Sequence, residues 1–214
     1  MNWISDIISY SMQQVEINHL VDFPLILHKR TNLVYMKREL DSDILRYADL
    51  LFQHNFSGIN CVIAQPALVS VVNDELDKIG LHTVGKIKLR EDIINLSQQF
   101  FQVTKAINLR LILKVVANDG CAKFHTDAYA LRLLCTYAGR ATEWIADEYV
   151  NRNKLITGTN EDIIKDFSKV QAMQPFEVAI LKGETQQTGT KGIVHRSPAI
   201  QQLGEKRLLL RLDY

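Results

Sequence analysis

Apolar and polar residues alternate along this chain with two different periods. Over the first half the period is helical. Between Ser42 and Phe52, the apolar positions Ile44, Leu45, Ala48, Leu51 and Phe52 recur at helical spacing, behind an Asp41 or Ser42 suited to cap the first turn. A second helical pattern opens at Pro66, runs through Leu68, Val69, Val72, Leu76 and Ile79, and stops at Gly80. A third covers about Glu91 to Ala106 on Ile93, Leu96, Phe100 and Val103, and Leu33 to Met36 reads as a short strand. From Leu109 the period falls to two. Leu109, Leu111, Leu113 and Val115 share one face of a predicted strand that leads through an Asn118-Asp119-Gly120 turn into a strand at His125. Strands follow at Arg132 to Tyr137 and Thr142 to Ile145, then a polar stretch over 146–174 with a short helix near Glu161 to Phe167. A strand before Gly183 and a final strand ending at Tyr214 close the chain.

This pattern predicts a single α+β domain over 1–214, with a helix-rich α/β part over 1–107 packed on a β core over 108–214. The 146–174 stretch is an insertion in that core, either a lid or substrate-selecting loop or a solvated crossover. In the last strand, Leu208, Leu210 and Leu212 fall on one face, and Arg207, Leu209, Arg211 and Asp213 on the other. If the leucine face lies under helices, both arginines point into the β core, where a charge needs a partner. That partner is an anionic ligand or, alternatively, a carboxylate of Asp213, Glu184 or Glu205.

With 47% of its 214 residues apolar, the chain has the material for a sizeable core. Its 25 basic and 24 acidic residues nearly cancel, which gives no general pull toward nucleic acid or an anionic membrane. No apolar run approaches the roughly 20 residues that span a bilayer. The opening Met-Asn-Trp-Ile-Ser-Asp-Ile-Ile lacks a basic leader and cleavage site, and three cysteines are too few and odd for a secreted framework, so a cytoplasmic protein is expected. Cys121 and Cys135 read as buried, inert thiols.

The chemistry gathers at Cys-Ala-Lys-Phe-His-Thr-Asp, residues 121–127, answered by Gly-Ile-Val-His-Arg-Ser-Pro, residues 192–198. His125 and Asp127 are two apart, so on a strand both leave the same face, and His195 supplies a third ligand from a neighbouring strand. Two imidazoles and one carboxylate, with positions left open, are the facial triad of non-haem iron. Were Cys121 also inward, its thiolate would draw the site toward zinc.

The order His-x-Asp, strand, insertion, strand ending near a glycine, histidine, arginine-bearing last strand resembles the double-stranded β-helix, or jelly roll, of the iron(II)/2-oxoglutarate-dependent oxygenases over about Leu109 to Tyr214. The resemblance implies Fe(II) held by His125, Asp127 and His195. It also implies 2-oxoglutarate as a small-molecule co-substrate, its far carboxylate clamped by Arg207, with Arg211 assisting or holding an anionic substrate. The residues around His125, Tyr137, Trp144 and His195 also resemble an uncharacterised bacterial domain-of-unknown-function family whose genes neighbour metal-homeostasis GTPases. The expected function is therefore a hydroxylase or demethylase of this oxygenase class. The alternative is a non-redox, cupin-like protein that binds Zn(II) or another divalent metal alone in metal homeostasis.

Overall fold

Local signals start and stop the helices. The Asp41 carboxylate accepts the backbone N–H groups of Asp43 and Ile44 and so opens α1 (Ser42–Gln53). Pro66 lies in a 3-10 turn ahead of α2 (Leu68–Asp77), and Gly80, at φ +74°, follows its end. Thr83 accepts the N–H of Lys86 and starts α3 (Val84–Thr104) well before the Glu91 that the apolar spacing indicated. The spacing misses this first stretch because it is buried through unlikely residues. Lys86 is fully buried, and Gly85 lies so close to α1 that an added Cβ would stand 2.1 Å from the Asp43 carbonyl oxygen.

The computed structural model describes residues 11–54, 56–185 and 189–214, so the opening stretch read for a leader lies outside the described residues. The chain is mixed α/β, with a large sheet and several helices. Its strands are β1 (Gln13–Ile17), β2 (Thr31–Met36), β3 (Ile59–Ala64), β4 (Asn108–Val116) and β5 (Leu131–Ala138). They continue as β6 (Glu143–Ile145), β7 (Gln171–Ala172), β8 (Val178–Lys182), β9 (Val194–Arg196) and β10 (Arg207–Asp213). Seven form one sheet in the order β1-β2-β8-β5-β10-β4-β3, and three form a second in the order β7-β6-β9. Three strands of the large sheet thus come from the part that the sequence pattern marked as helix-rich. β1 and β3 escape that pattern because they are edge strands with mixed burial.

The large sheet is buried on both faces. On one, Leu208, Leu210 and Leu212 of β10, with Leu111, Leu113, Leu133 and Ile180 of its neighbours, join Leu89, Ile93, Leu96 and Phe100 of α3 and Tyr47, Ala48 and Leu51 of α1 in one core. On the other, Leu33, Leu134, Ala179, Leu181 and Leu209 meet Ala141, Trp144, Met173 and Ile193 from around the small sheet. Double burial explains why β5 and β8 are unbroken apolar runs with single charges in them, Arg132 and Lys182.

The helical face also carries one buried polar lock. Asp92 of α3 takes both Arg38 terminal nitrogens and the Tyr137 hydroxyl, and Arg38 donates through Nε to the carbonyl of Phe176. Cys135 lies beside it, buried as expected, its thiol pushed up to about 12 by that burial. Cys121 departs from the expectation: it is exposed, because 121–123 lies on the rim of the molecule rather than in a strand. No helix among the described residues is long and apolar enough to cross a membrane. Leu210→Ala, at the centre of the leucine face, is expected to lower stability by about 2–5 kcal/mol in urea unfolding with little change in slope.

Candidate metal centre and anion pocket

His195 sits on β9 between two partners. Trp144 of β6 is paired with it on one side, and on the other His125 exchanges two backbone hydrogen bonds with it, each 3.0 Å. Residues directly opposite in an antiparallel pair share a face, so both imidazoles point the same way, with ring centroids 4.6 Å apart. The expected strand at His125 shrinks to this single bridge. Beyond it the chain turns away, and Asp127 and Ala130 carbonyls accept from the N–H groups of Glu184 and Gly183. Gly183 is required there, because a Cβ on it would fall 1.9 Å from the Tyr129 oxygen and 2.6 Å from that of Asp127.

The turn brings Asp127 to the two histidines. One ligand atom from each of His125, Asp127 and His195 lies within 4.8 Å of the others, and among the described residues no other group of this kind forms. Each imidazole Nδ1 faces a carbonyl two residues earlier, His125 to Lys123 at 2.8 Å and His195 to Ile193 at 3.2 Å. A carbonyl only accepts, so Nδ1 carries the proton and Nε2 keeps its lone pair. Asp127 Oδ1 accepts from Arg132 Nη1, whereas Oδ2 is buried with no hydrogen-bond partner among the described residues, 3.6 Å from His195 Nε2. A buried carboxylate oxygen without a donor, beside two imidazole lone pairs, is a donor set that fits a divalent cation. Burial pushes His195 down to about 4, against the opposing pull of Asp127, so its imidazole is neutral at pH 7, as ligation needs.

His125 and His195 open onto a cavity of about 110 Å³, walled also by Lys114, Cys121, Ser197, Arg207, Leu209 and Arg211. That is small beside the 300–1,000 Å³ typical of drug-sized ligands. Arg207 is 3% exposed and donates to Ser197 Oγ at 3.0 Å, but its Nε and Nη1 have no hydrogen-bond partner among the described residues. Burial pulls it down to about 10, still charged at neutral pH. Arg211 is engaged differently, its Nε 3.0 Å from Asp213 Oδ2 in a charge contact whose angle falls short of a hydrogen bond. A larger cleft of about 430 Å³ lies by Arg38 and Asp92, but those two groups already satisfy each other.

The family model for proteins of unknown function designated DUF1826 matches residues 18–213. The chain belongs to that family. No curated protein matches it. Among solved structures the fold is similar to the dioxygenase for auxin oxidation (DAO) of rice, at 8% identity over 94% of this chain and 82% of that one, with a TM-score of 0.55. Looser likenesses are a full-length Neurospora crassa protein solved in complex with alpha-KG (13% identity, 91% and 78% covered, TM-score 0.41) and a Pseudomonas putida prolyl-4-hydroxylase (12%, 82% and 95%, 0.31). At these identities the rice structure speaks to the fold alone.

Three residues of this DUF1826 chain that support the site were not among the candidate site residues. Arg132 could have been found as a lone charge in a buried strand. Ser197, two residues past His195 and just beyond the end of β9, lines the same cavity. Asn160 gave no signal: from the insertion it accepts the Phe124 N–H and donates to the Ala122 carbonyl, holding the His125 segment where a further strand would otherwise pair. The insertion's own apolar cluster, including Val150, Ile163 and Ile164 with Phe124 and Val194, sits behind the two histidines. None of its described residues lines the cavity; Asn160 and this cluster hold the His125 segment from outside it.

Two outcomes follow from this geometry. Gly183→Ala should weaken divalent-metal binding about tenfold by displacing Asp127, measured by calorimetric titration. The depressed His195 favours the neutral form in the folded state, so its stability contribution is complete above about pH 6.5 and is lost as pH falls toward about 4. Melting temperatures of metal-free protein should therefore drop through that window, and His195→Gln should flatten the drop.

Proposed function

We propose that the protein is an iron(II)/2-oxoglutarate-dependent oxygenase on a double-stranded β-helix, with His125, Asp127 and His195 as metal ligands and Arg207 as the anchor for the co-substrate's far carboxylate. The observation that carries the reading is that two of three convergent ligand residues, His125 and His195, line one small cavity together with a buried guanidinium that has two nitrogens without a partner among the described residues. Two sheets facing each other across a shared core, and the likeness to the rice dioxygenase, support the fold half of the proposal.

Iron(II), when bound, supplies dioxygen activation at the positions the three protein ligands leave open. The chain's own residues do the rest. Arg207 meets a carboxylate through charge-assisted bonds that include its Nη1, and Ser197 holds the neighbouring Nη2. Val116, Leu134 and Leu209 give the cavity an apolar wall for the carbon chain between the two ends of the acid. Arg211 leans on Asp213, so it adds charge to the wall and plays the weaker part. Three unpaired cysteines fit a reducing, cytoplasmic setting.

A protein that only stores or senses a divalent metal has no use for an inward guanidinium beside the ligands, and Arg207 therefore favours the oxygenase. Anaerobic titration of apoprotein with iron(II) and then 2-oxoglutarate should produce the weak visible charge-transfer band of the chelate. Arg207→Lys should raise the apparent dissociation constant for 2-oxoglutarate at least about tenfold, equivalent to about 1.4 kcal/mol, with little change for iron(II). Metal uptake with no chelate at millimolar 2-oxoglutarate would sink the oxygenase and leave the metal-binding barrel as the better account.

A further inference from the structure

Each of the three converging ligands is held from behind through the atom it does not present. For His125 and His195 the holder is a backbone carbonyl, which any sequence would supply. For Asp127 it is a side chain, Arg132, and that makes it a choice of this chain. Resting on the metal-site half of the function above, we propose that Arg132 is a positioning residue that commits Asp127 to bind a divalent cation through Oδ2 alone.

A free carboxylate can offer one oxygen or two to a metal. Here Oδ1 is taken by Arg132 Nη1, and Oδ2 is left buried without a donor on the side of His195. The guanidinium has little freedom to let go. Its Nε donates to Asp213 Oδ1 at 2.5 Å, the register of β5 and β10 sets Arg132 directly opposite Asp213, and its plane lies over the Tyr129 ring at 4.9 Å. Arg211 then flanks the other oxygen of Asp213 at 3.0 Å. The result is a ladder of alternating charge, Asp127, Arg132, Asp213, Arg211, that runs from the metal ligand into the last strand and has no net charge.

This ladder explains why the site can exist before a metal arrives. Arg132 supplies the counter-charge beside the buried Asp127 carboxylate, and the guanidinium geometry keeps one of its oxygens in place. Lysine in the same position retains the charge but cannot bridge two carboxylates with a fixed plane, so it separates positioning from simple neutralisation.

The test uses cobalt(II), which needs neither oxygen nor co-substrate and reports its coordination through visible d–d bands. Arg132→Lys is expected to weaken cobalt(II) binding at least about tenfold and to change the position or intensity of the bands, while far-UV circular dichroism of the metal-free protein stays as in wild type. A folded Arg132→Lys with wild-type affinity and an unchanged spectrum overturns the proposal and leaves Arg132 a structural ion pair. If Arg132→Lys does not fold, Asp213→Asn decides. It frees Arg132 on its far side only, and should shift the bands with a smaller, several-fold loss of affinity; an unchanged spectrum and affinity again overturn the proposal. Wild-type protein that takes up no cobalt(II) removes the metal site itself, and this proposal with it, a result distinct from either variant behaving like wild type.

Discussion

A strand buried on both faces cannot hide a charge, and β10 carries three on one face. The structure is arranged around that constraint. The leucines of β10 lie under α1 and α3, so strand geometry sends Arg207, Arg211 and Asp213 into the space between the two sheets. In that space a charge needs a counter-charge or a ligand. Arg211 and Asp213 find theirs along the sheet, in each other and in Arg132. Arg207 finds a serine hydroxyl and nothing more among the described residues. The inter-sheet space therefore holds both an apolar core and a polar chamber, and Leu134 of β5 and Leu209 of β10, which belong to that core, also wall the chamber beside Arg132, Arg207 and Arg211.

The chamber's other wall depends on less regular structure. His125 is held by one bridge to His195, and the rest of its segment is held by Asn160 and backed by the apolar cluster of the insertion. A fully paired strand there would satisfy its backbone through the ladder. This chain uses a side-chain amide instead, which lets residues 121–123 run along the rim of the molecule and puts the Cys121 thiol at the mouth of the cavity, exposed, and outside the ligand group. The same economy of regular structure appears at Gly183, where the absence of a side chain lets the Asp127 turn settle on the end of β8.

Much of this was legible in the chain. The helical spacing of Ile44 to Phe52, the Asp41 cap and the alternation in β4 and β10 depend on neighbours only a few residues apart, so the sequence determines them directly. The spacing of His125 from Asp127 and the two-faced last strand likewise marked the residues that now stand together. What only the tertiary structure decided is what those residues touch. That β1 and β3 join the large sheet, that the first turn of α3 carries a buried lysine, that Arg211 turns to Asp213 while Arg207 does not, and that Arg132 stands behind Asp127 are settled by where the elements pack. Those placements follow from strand register and from the cost of an uncompensated buried charge, and neither is written in the spacing of residues along a single segment.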